Sequence, residues 1–237
     1  MKKVVIHAGT IGTNIAADVV HIGSPQPLAA PPPVCMLMLA ANPPPTARLR
    51  IDEEVRSIDQ AIQRGRHRER FQLAAQWAVR AIDLQHHLLR YRPAVVHFSG
   101  HGEAGALVLE DDAGGAQPLQ PDQLAGLFAQ LGQHTRCALL SACYTQLQAE
   151  AIARHVPCVI GMSHAVSDLA AIAFSIGFYE ALVHGESIKT AFELGCQRFA
   201  LAGDAGRHRD VQDVRGITPC PAPILLGTHH ATTIRFC

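Results

Sequence analysis

Short, uninterrupted apolar segments separated by helical patterns constrain the fold of this chain more than any other feature. Four of them cover residues 34–41, 94–99, 136–142 and 157–162, and a fifth lies at 222–227. Strands that are apolar throughout are typical of a parallel sheet buried on both faces, because each face then packs against a layer of helices. The pattern predicts an α/β fold with a mostly parallel central sheet covered on both sides.

Most of the segments between the apolar stretches have patterns typical of helices. Apolar residues recur at intervals of three and four from Leu49 to Ile62, which predicts one amphipathic helix. Residues 70–78 are ambiguous, since their apolar residues alternate as in a strand. Further helices are predicted over 79–91, 121–131, 145–155, 167–185 and 187–201, and a hairpin over 105–119.

Composition excludes several classes of protein. The 237 residues carry 20 basic and 20 acidic side chains, so no net field favours nucleic acid or an anionic membrane as a direct partner. No secretion signal or membrane-spanning stretch is visible, and we expect a cytoplasmic protein. The seven cysteines are odd in number and form no C-x-x-C pair, which argues against a disulfide framework and a zinc cluster. We therefore expect no metal and no cofactor.

The chain divides by composition into three parts. Residues 1–24 are expected to form a short segment that acts in docking or assembly or as a pro-segment, or else is an ordinary hairpin or disordered. Residues 25–33 are proline-rich and predict an extended linker. The main domain is expected over residues 34–237.

Two strand ends carry candidate chemistry. The strand "VVHFS" ends in Gly100-His101-Gly102, and "CALLS" ends in Ala142-Cys143. Functional groups collect beyond the carboxyl ends of parallel strands, where an imidazole can stabilise a nucleophilic thiolate. The bare N–H of Gly102 and that of Cys143 would suit an oxyanion hole. On the residues alone, Cys143 could equally be a packing residue and the glycines could mark an ordinary turn.

Residues 37–226 resemble the CHAT family, the caspase-like domain of bacterial proteins. The motifs "LAANPPPTARLRIDEEVRSI", "VVHFSGHGEAGALVLED", "ALLSACYTQLQAEAIA", "VIGMSHAVSDLAAIAFSIGFYEAL" and "AFELGCQRF" carry the resemblance in the family's order. It implies a caspase-like three-layer α/β/α sandwich, with His101 as general base and Cys143 as nucleophile. It also implies oxyanion donors at Gly102 and Cys143, and a specificity role for Asp168 in an S1 pocket for a basic side chain. Ser167 or Asp168 could instead simply cap the following helix.

The chain departs from the family pattern at one point, and several neighbours of the dyad need an interpretation. Relatives with separase-like sites often have a tryptophan near "GMSH", whereas Trp77 lies elsewhere and is expected in the core. His97 is expected to be a satisfied core histidine and Cys137 a buried thiol. Ser99 and Ser141 are candidates for hydrogen bonds around the dyad.

The resemblance implies a caspase-like cysteine endopeptidase that cleaves a protein partner. Family members often act as regulated effectors in bacterial signalling or anti-phage defence, so a separate sensor or regulatory protein is expected, engaged by residues 1–33. A catalytically silent scaffold for protein binding is the main alternative. A nucleotide or flavin binder is a second one, but "NPPP" replaces the glycine-rich loop that such a site needs after its first strand.

Overall fold

The computed structural model describes residues 32–44, 46–103, 105–202, 222–227 and 229–237, with only the backbone of 229 and 230. The predicted segment 1–24 and most of the predicted linker lie outside the described residues. The three-part division of the chain therefore stays a prediction.

Among the described residues, six strands form the main sheet, and three more form a small antiparallel sheet. The main sheet has the order β2-β1-β3-β7-β8-β9; its first four pairings are parallel, and β9 runs antiparallel to β8. The strands are β1 (Val34–Ala40), β2 (Phe71–Gln76), β3 (Val95–Ser99), β4 (His101–Glu103), β5 (Ala106–Glu110), β6 (Ala116–Leu119), β7 (Cys137–Ser141), β8 (Cys158–Met162) and β9 (Pro223–Gly227). The helices are α1 (Ile51–Arg64), α2 (Asp83–Tyr91), α3 (Pro121–Leu131), α4 (Gln146–Ile152), α5 (Asp168–Val183), α6 (Ile188–Leu201) and α7 (His229–Thr232).

Alternate residues of each central strand face opposite helical layers. Met36, Met38 and Leu139 pack with side chains of α1, α5 and α6. Leu37 and Leu140 point the other way, towards α2, α3 and α4. Because both faces are covered, the central strands are apolar at nearly every position, as the sequence predicts. The predicted three-layer α/β/α architecture is confirmed.

One strand and the position of one tryptophan needed the structure for their assignment. The ambiguous segment 70–78 contains the edge strand β2, which pairs in parallel with β1. The expectation that Trp77 lies in the core is wrong: it directly follows this edge strand and is 53% exposed. Among the described residues, no helix is both long and apolar enough to span a bilayer.

The pairing of β3 with β7 positions the candidate site. Ser99 and Ser141, the last residues of these strands, are register partners. His101 and Cys143 each follow two residues later, so both leave the sheet at the same edge and on neighbouring strands.

Candidate active site

Cys143 lies in a tight turn between β7 and α4. The next residue, Tyr144, has a left-handed backbone with φ of 54°. The buried Thr145 hydroxyl donates to the carbonyl of Ala142 at 3.0 Å and accepts the N–H of Met162 at 3.0 Å, which ties the turn to β8. These contacts present the thiol at the carboxyl end of the sheet, where the sulfur lies 3.4 Å from the N–H of Val166.

Two other cysteines of the sheet, in β7 and β8, have different surroundings. Cys137 is fully buried, as predicted, and so is its neighbour Cys158. Burial raises the pKa of the Cys137 thiol well above its ordinary value and that of Cys158 to about 11. These two thiols therefore stay protonated and unreactive at neutral pH, whereas Cys143 is only half-buried.

His101 begins β4 and turns its ring towards the connection between β1 and α1. Its Nε2 lies 2.8 Å from the carbonyl oxygen of Ala47 and 3.3 Å from Oδ1 of Asn42. A carbonyl oxygen only accepts, so Nε2 carries a proton, and Nδ1 is the basic nitrogen of the neutral ring. In the described part of the chain, no hydrogen bond joins His101 to Cys143.

Gly102 packs directly against the backbone of Cys143. A Cβ added to Gly102 would lie 1.9 Å from the carbonyl oxygen of Cys143 and 3.3 Å from its nitrogen. Any side chain at position 102 would therefore collide with the main chain beside the thiol. The structure thus brings together the two residues predicted to donate to an oxyanion.

A cleft with an open volume of about 370 Å³ lies beside the thiol and is lined by Cys143 and Asp168. The Asp168 carboxylate accepts the backbone N–H of Arg50 at 3.0 Å. The hydroxyl of Ser167 accepts the N–H of Ala170, so Ser167 is the helix cap and Asp168 is the first residue of α5. Within the described ranges, no group of three His, Cys, Asp or Glu side chains is arranged to hold a metal.

Sequence reasoning missed Glu54, which lines the same cleft and is only 4% exposed. Its carboxylate accepts hydrogen bonds from the hydroxyls of Ser99 at 2.5 Å, Ser175 at 2.7 Å and Ser141 at 3.1 Å. Burial alone would raise the pKa of Glu54, but the nearby His97 ring and the hydroxyls of Ser99 and Ser175 together hold it below its ordinary value. We call Glu54, His97, Ser99, Ser141, Ser175 and Tyr179 the Glu54 cluster.

His97 lies within this cluster. The ring is buried, as predicted; Nδ1 lies 3.1 Å from the Tyr179 hydroxyl, and the two rings stack. Nε2 lies 3.4 Å from Oε1 of Glu54 but is not aligned for a hydrogen bond, so the prediction of a satisfied histidine is wrong for this nitrogen. The hydroxyls of Ser99 and Ser141 face Glu54, and in the described residues neither bonds to His101 or Cys143.

Comparisons with known proteins agree with this fold. The CHAT domain family matches residues 14–198. A curated protein described as "Probable protease", from Gillisia limnaea, is 24% identical over 153 residues, which are 63% of this chain and 27% of that protein. The match thus spans about a quarter of the relative's length.

Two solved caspase structures are similar in shape. The structure of pro-sf-caspase-1 has a TM-score of 0.52 at 11% identity, covering 82% of this chain and 91% of that one. Caspase-1 from Spodoptera frugiperda has a TM-score of 0.48 at 11% identity, with 86% and 92% covered. This chain belongs to the CHAT domain family and has a caspase-like fold.

Proposed function

We propose that this protein is a cysteine endopeptidase with Cys143 as nucleophile and His101 as general base. The observation that carries the proposal is the half-buried Cys143 thiol in a cleft at the carboxyl end of the sheet, with the Gly102 backbone against it. His101 leaves the sheet on the neighbouring strand. The match to the CHAT family and the likeness to a probable protease support a protein substrate.

The chemistry follows from the protonation of His101. With the Nε2 proton held by the carbonyl of Ala47, Nδ1 takes the proton of the Cys143 thiol. The thiolate attacks the substrate carbonyl, and the N–H groups of Gly102 and Cys143 receive the oxyanion. His101 then returns its proton to the leaving amine, and water hydrolyses the thioester to release the acid and restore the thiol.

The resting contacts require one rearrangement before this step. His101 and Cys143 share no hydrogen bond among the described residues, and the sulfur accepts the N–H of Val166 instead. Catalytic hydrogen bonds are often loose before substrate binds and tighten in the complex. We therefore place substrate or partner binding ahead of proton transfer.

Asp168 is the proposed specificity residue of this peptidase. It lines the cleft beside the nucleophile, and the capping duty at this helix end falls to Ser167. The guanidinium of Arg50 at the same cleft forms an ion pair with Glu53. The Asp168 carboxylate accepts only the backbone N–H of Arg50 from this residue, and its negative charge favours an arginine or lysine at P1. Profiling a P1 library with Asp168→Ala tests this. The role is wrong if the variant keeps the wild-type preference.

The test of the enzyme uses Cys143→Ala and His101→Ala on the full chain. Each variant is expected to lose cleavage of the physiological partner, and a thiol-reactive peptide probe is expected to label the wild type at Cys143 by mass spectrometry. Cys35→Ala serves as the matched control, because Cys35 is also half-buried but lies in β1 away from the cleft. Normal cleavage by both dyad variants would refute the assignment.

We further place the enzyme as a regulated effector in bacterial signalling or anti-phage defence, controlled by a separate sensor that engages residues 1–33. The separate hydrogen bonds of His101 and Cys143 support an enzyme that needs a partner for alignment. Affinity capture with Cys143→Ala, with and without residues 1–33, tests this. If the Cys143→Ala chain captures the same amount of a regulatory partner with and without residues 1–33, that segment does not engage the partner.

A catalytically silent scaffold is the second candidate, and the same contacts of His101 and Cys143 favour it. The reactivity of Cys143 distinguishes the scaffold from the enzyme. Cys143 in the assembled complex reacts with an electrophilic peptide if the protein is an enzyme and stays inert if it is a scaffold.

A further inference from the structure

One carboxylate joins the two strand ends that precede the proposed catalytic residues. Ser99 ends β3 and Ser141 ends β7, and the two are register partners in the sheet. The Ser99 hydroxyl donates to Oε2 of Glu54 at 2.5 Å, and the Ser141 hydroxyl donates to Oε1 at 3.1 Å. Each oxygen of the same carboxylate therefore binds the last residue of one strand, at the strand exit, where the chain leaves the sheet.

Two further side chains, one from β3 and one from α5, lie against the same carboxylate. Ser175 of α5 donates to Oε1 at 2.7 Å, and the His97 ring lies 3.4 Å from the same oxygen. Glu54 belongs to α1, whose preceding connection contacts His101 through Ala47 and Asp168 through the N–H of Arg50. The side chains and backbone of one continuous segment thus reach three parts of the proposed site.

Stability alone does not account for a charge at this position. A buried carboxylate loses its hydration, and well-packed apolar residues of the same volume are often as stable as a buried ion pair. What the charge provides is direction, because hydrogen bonds to an ionised acceptor are short and strongly oriented. Two such bonds link the side chains of β3 and β7 at the point where both chains leave the sheet.

We infer that Glu54 is a positioning residue, which aligns His101 with Cys143 by holding Ser99 and Ser141 on one carboxylate. The inference rests on the proposed function, since alignment matters only if the pair is catalytic. Glu54 acts through the two strand exits and takes no proton from the substrate. A shift of about 1 Å between reacting groups costs on the order of 100-fold in rate.

The test uses the full chain in its activated complex and compares two reagents at Cys143. Iodoacetamide, applied at a pH of about 9.5 where a thiol ionises without a neighbouring base, needs only an accessible sulfur. A peptidyl acyloxymethyl ketone, carrying the P1 residue that the wild type accepts best, also needs the aligned dyad and the oxyanion donors. The double variant Ser99→Ala/Ser141→Ala removes both links to the strand exits and keeps the Glu54 charge. Ser175→Ala is the matched control, because it removes one hydroxyl from the same carboxylate but leaves the exits linked.

The double variant is expected to lose tenfold or more in the maximal rate of ketone labelling, with saturation at the same ketone concentration. Its iodoacetamide rate is expected within twofold of wild type, and Ser175→Ala within threefold for both reagents. Glu54→Gln should reproduce the double variant if it folds, and the serine variants carry the test if it does not. The inference is overturned if Ser175→Ala loses as much of the ketone-labelling rate as the double variant does. It is also overturned if the double variant keeps the wild-type rate. Absence of ketone labelling in the wild type would refute the proposed function first and the positioning role with it.

Discussion

Replacing Gly102 by alanine is the most direct test of how the two strand exits fit together. The new Cβ would lie 1.9 Å from the carbonyl oxygen of Cys143, and both the oxygen and its carbon are backbone atoms that no rotamer change can move. An ordinary carbon–oxygen contact is about 3.3 Å, so β4 has to move away from the turn at Cys143 by about 1.4 Å. Overpacking of this kind costs about 1–3 kcal/mol of folding free energy.

The same displacement moves the Gly102 N–H away from the position of a substrate oxyanion. We expect kcat/KM to fall by about 100-fold or more, mostly through kcat, because a shift near 1 Å is enough to lose that much. Peptide cleavage by the activated complex and thermal unfolding of the purified chain measure the two effects.

Gly126→Ala is the control, since that exposed α3 glycine has nothing within 4 Å of an added Cβ. Alanine should stabilise this helix by about 0.5–1 kcal/mol without changing the rate. A Gly102→Ala protein with wild-type melting and cleavage would show that this backbone contact is not as tight as described.

Three further predictions concern the supports of the site. Thr145→Val leaves the buried N–H of Met162 without its acceptor and should cost about 1–3 kcal/mol in chemical denaturation, whereas Thr145→Ser should recover most of it. Glu54 has a lowered pKa in the fold, so its charge stabilises the fold above the unfolded pKa of about 4.3, and this contribution is lost as the pH falls through the folded value. Titrating the free energy of unfolding should therefore give a gap between wild type and Glu54→Gln that narrows at acidic pH; a constant gap contradicts the assignment. Ser167→Ala removes the acceptor for the N–H of Ala170 and should cost about 1 kcal/mol while leaving P1 preference unchanged, and a changed preference would contradict the separation of capping from specificity.

The sheet was predictable because its central strands are apolar on both faces and alternate with helical patterns, which is typical of a parallel sheet covered by helices. The strand ends at Ser99 and Ser141 follow from the same pattern, so the neighbouring positions of His101 and Cys143 could be predicted as well. Trp77 was misplaced because local sequence does not reveal that β2 is an edge strand with an exposed end.

Glu54 could have been found, since it lies at helical spacing from Ile51, Ile58 and Ile62 on the buried face of α1. A carboxylate on such a face signals a buried partner, but the partners come from β3, β7 and α5 and depend on the tertiary fold. The contact of His101 with Ala47 is even harder to predict from the sequence. It depends on the path of the irregular connection between β1 and α1, which has no periodic pattern to read.

The order in which the parts of the cleft occur along the chain has a consequence for synthesis on the ribosome. The cleft is lined by residues from Leu49 to Ile172, and the sulfur of Cys143 contacts Val166. A nascent chain that has emerged only as far as β8 already contains His101 and Cys143 but lacks the wall supplied by α5. Because domains fold as their chain emerges, we expect the thiol to have no substrate cleft until α5 has docked. Translation thus delays the complete cleft until most of the chain has left the ribosome.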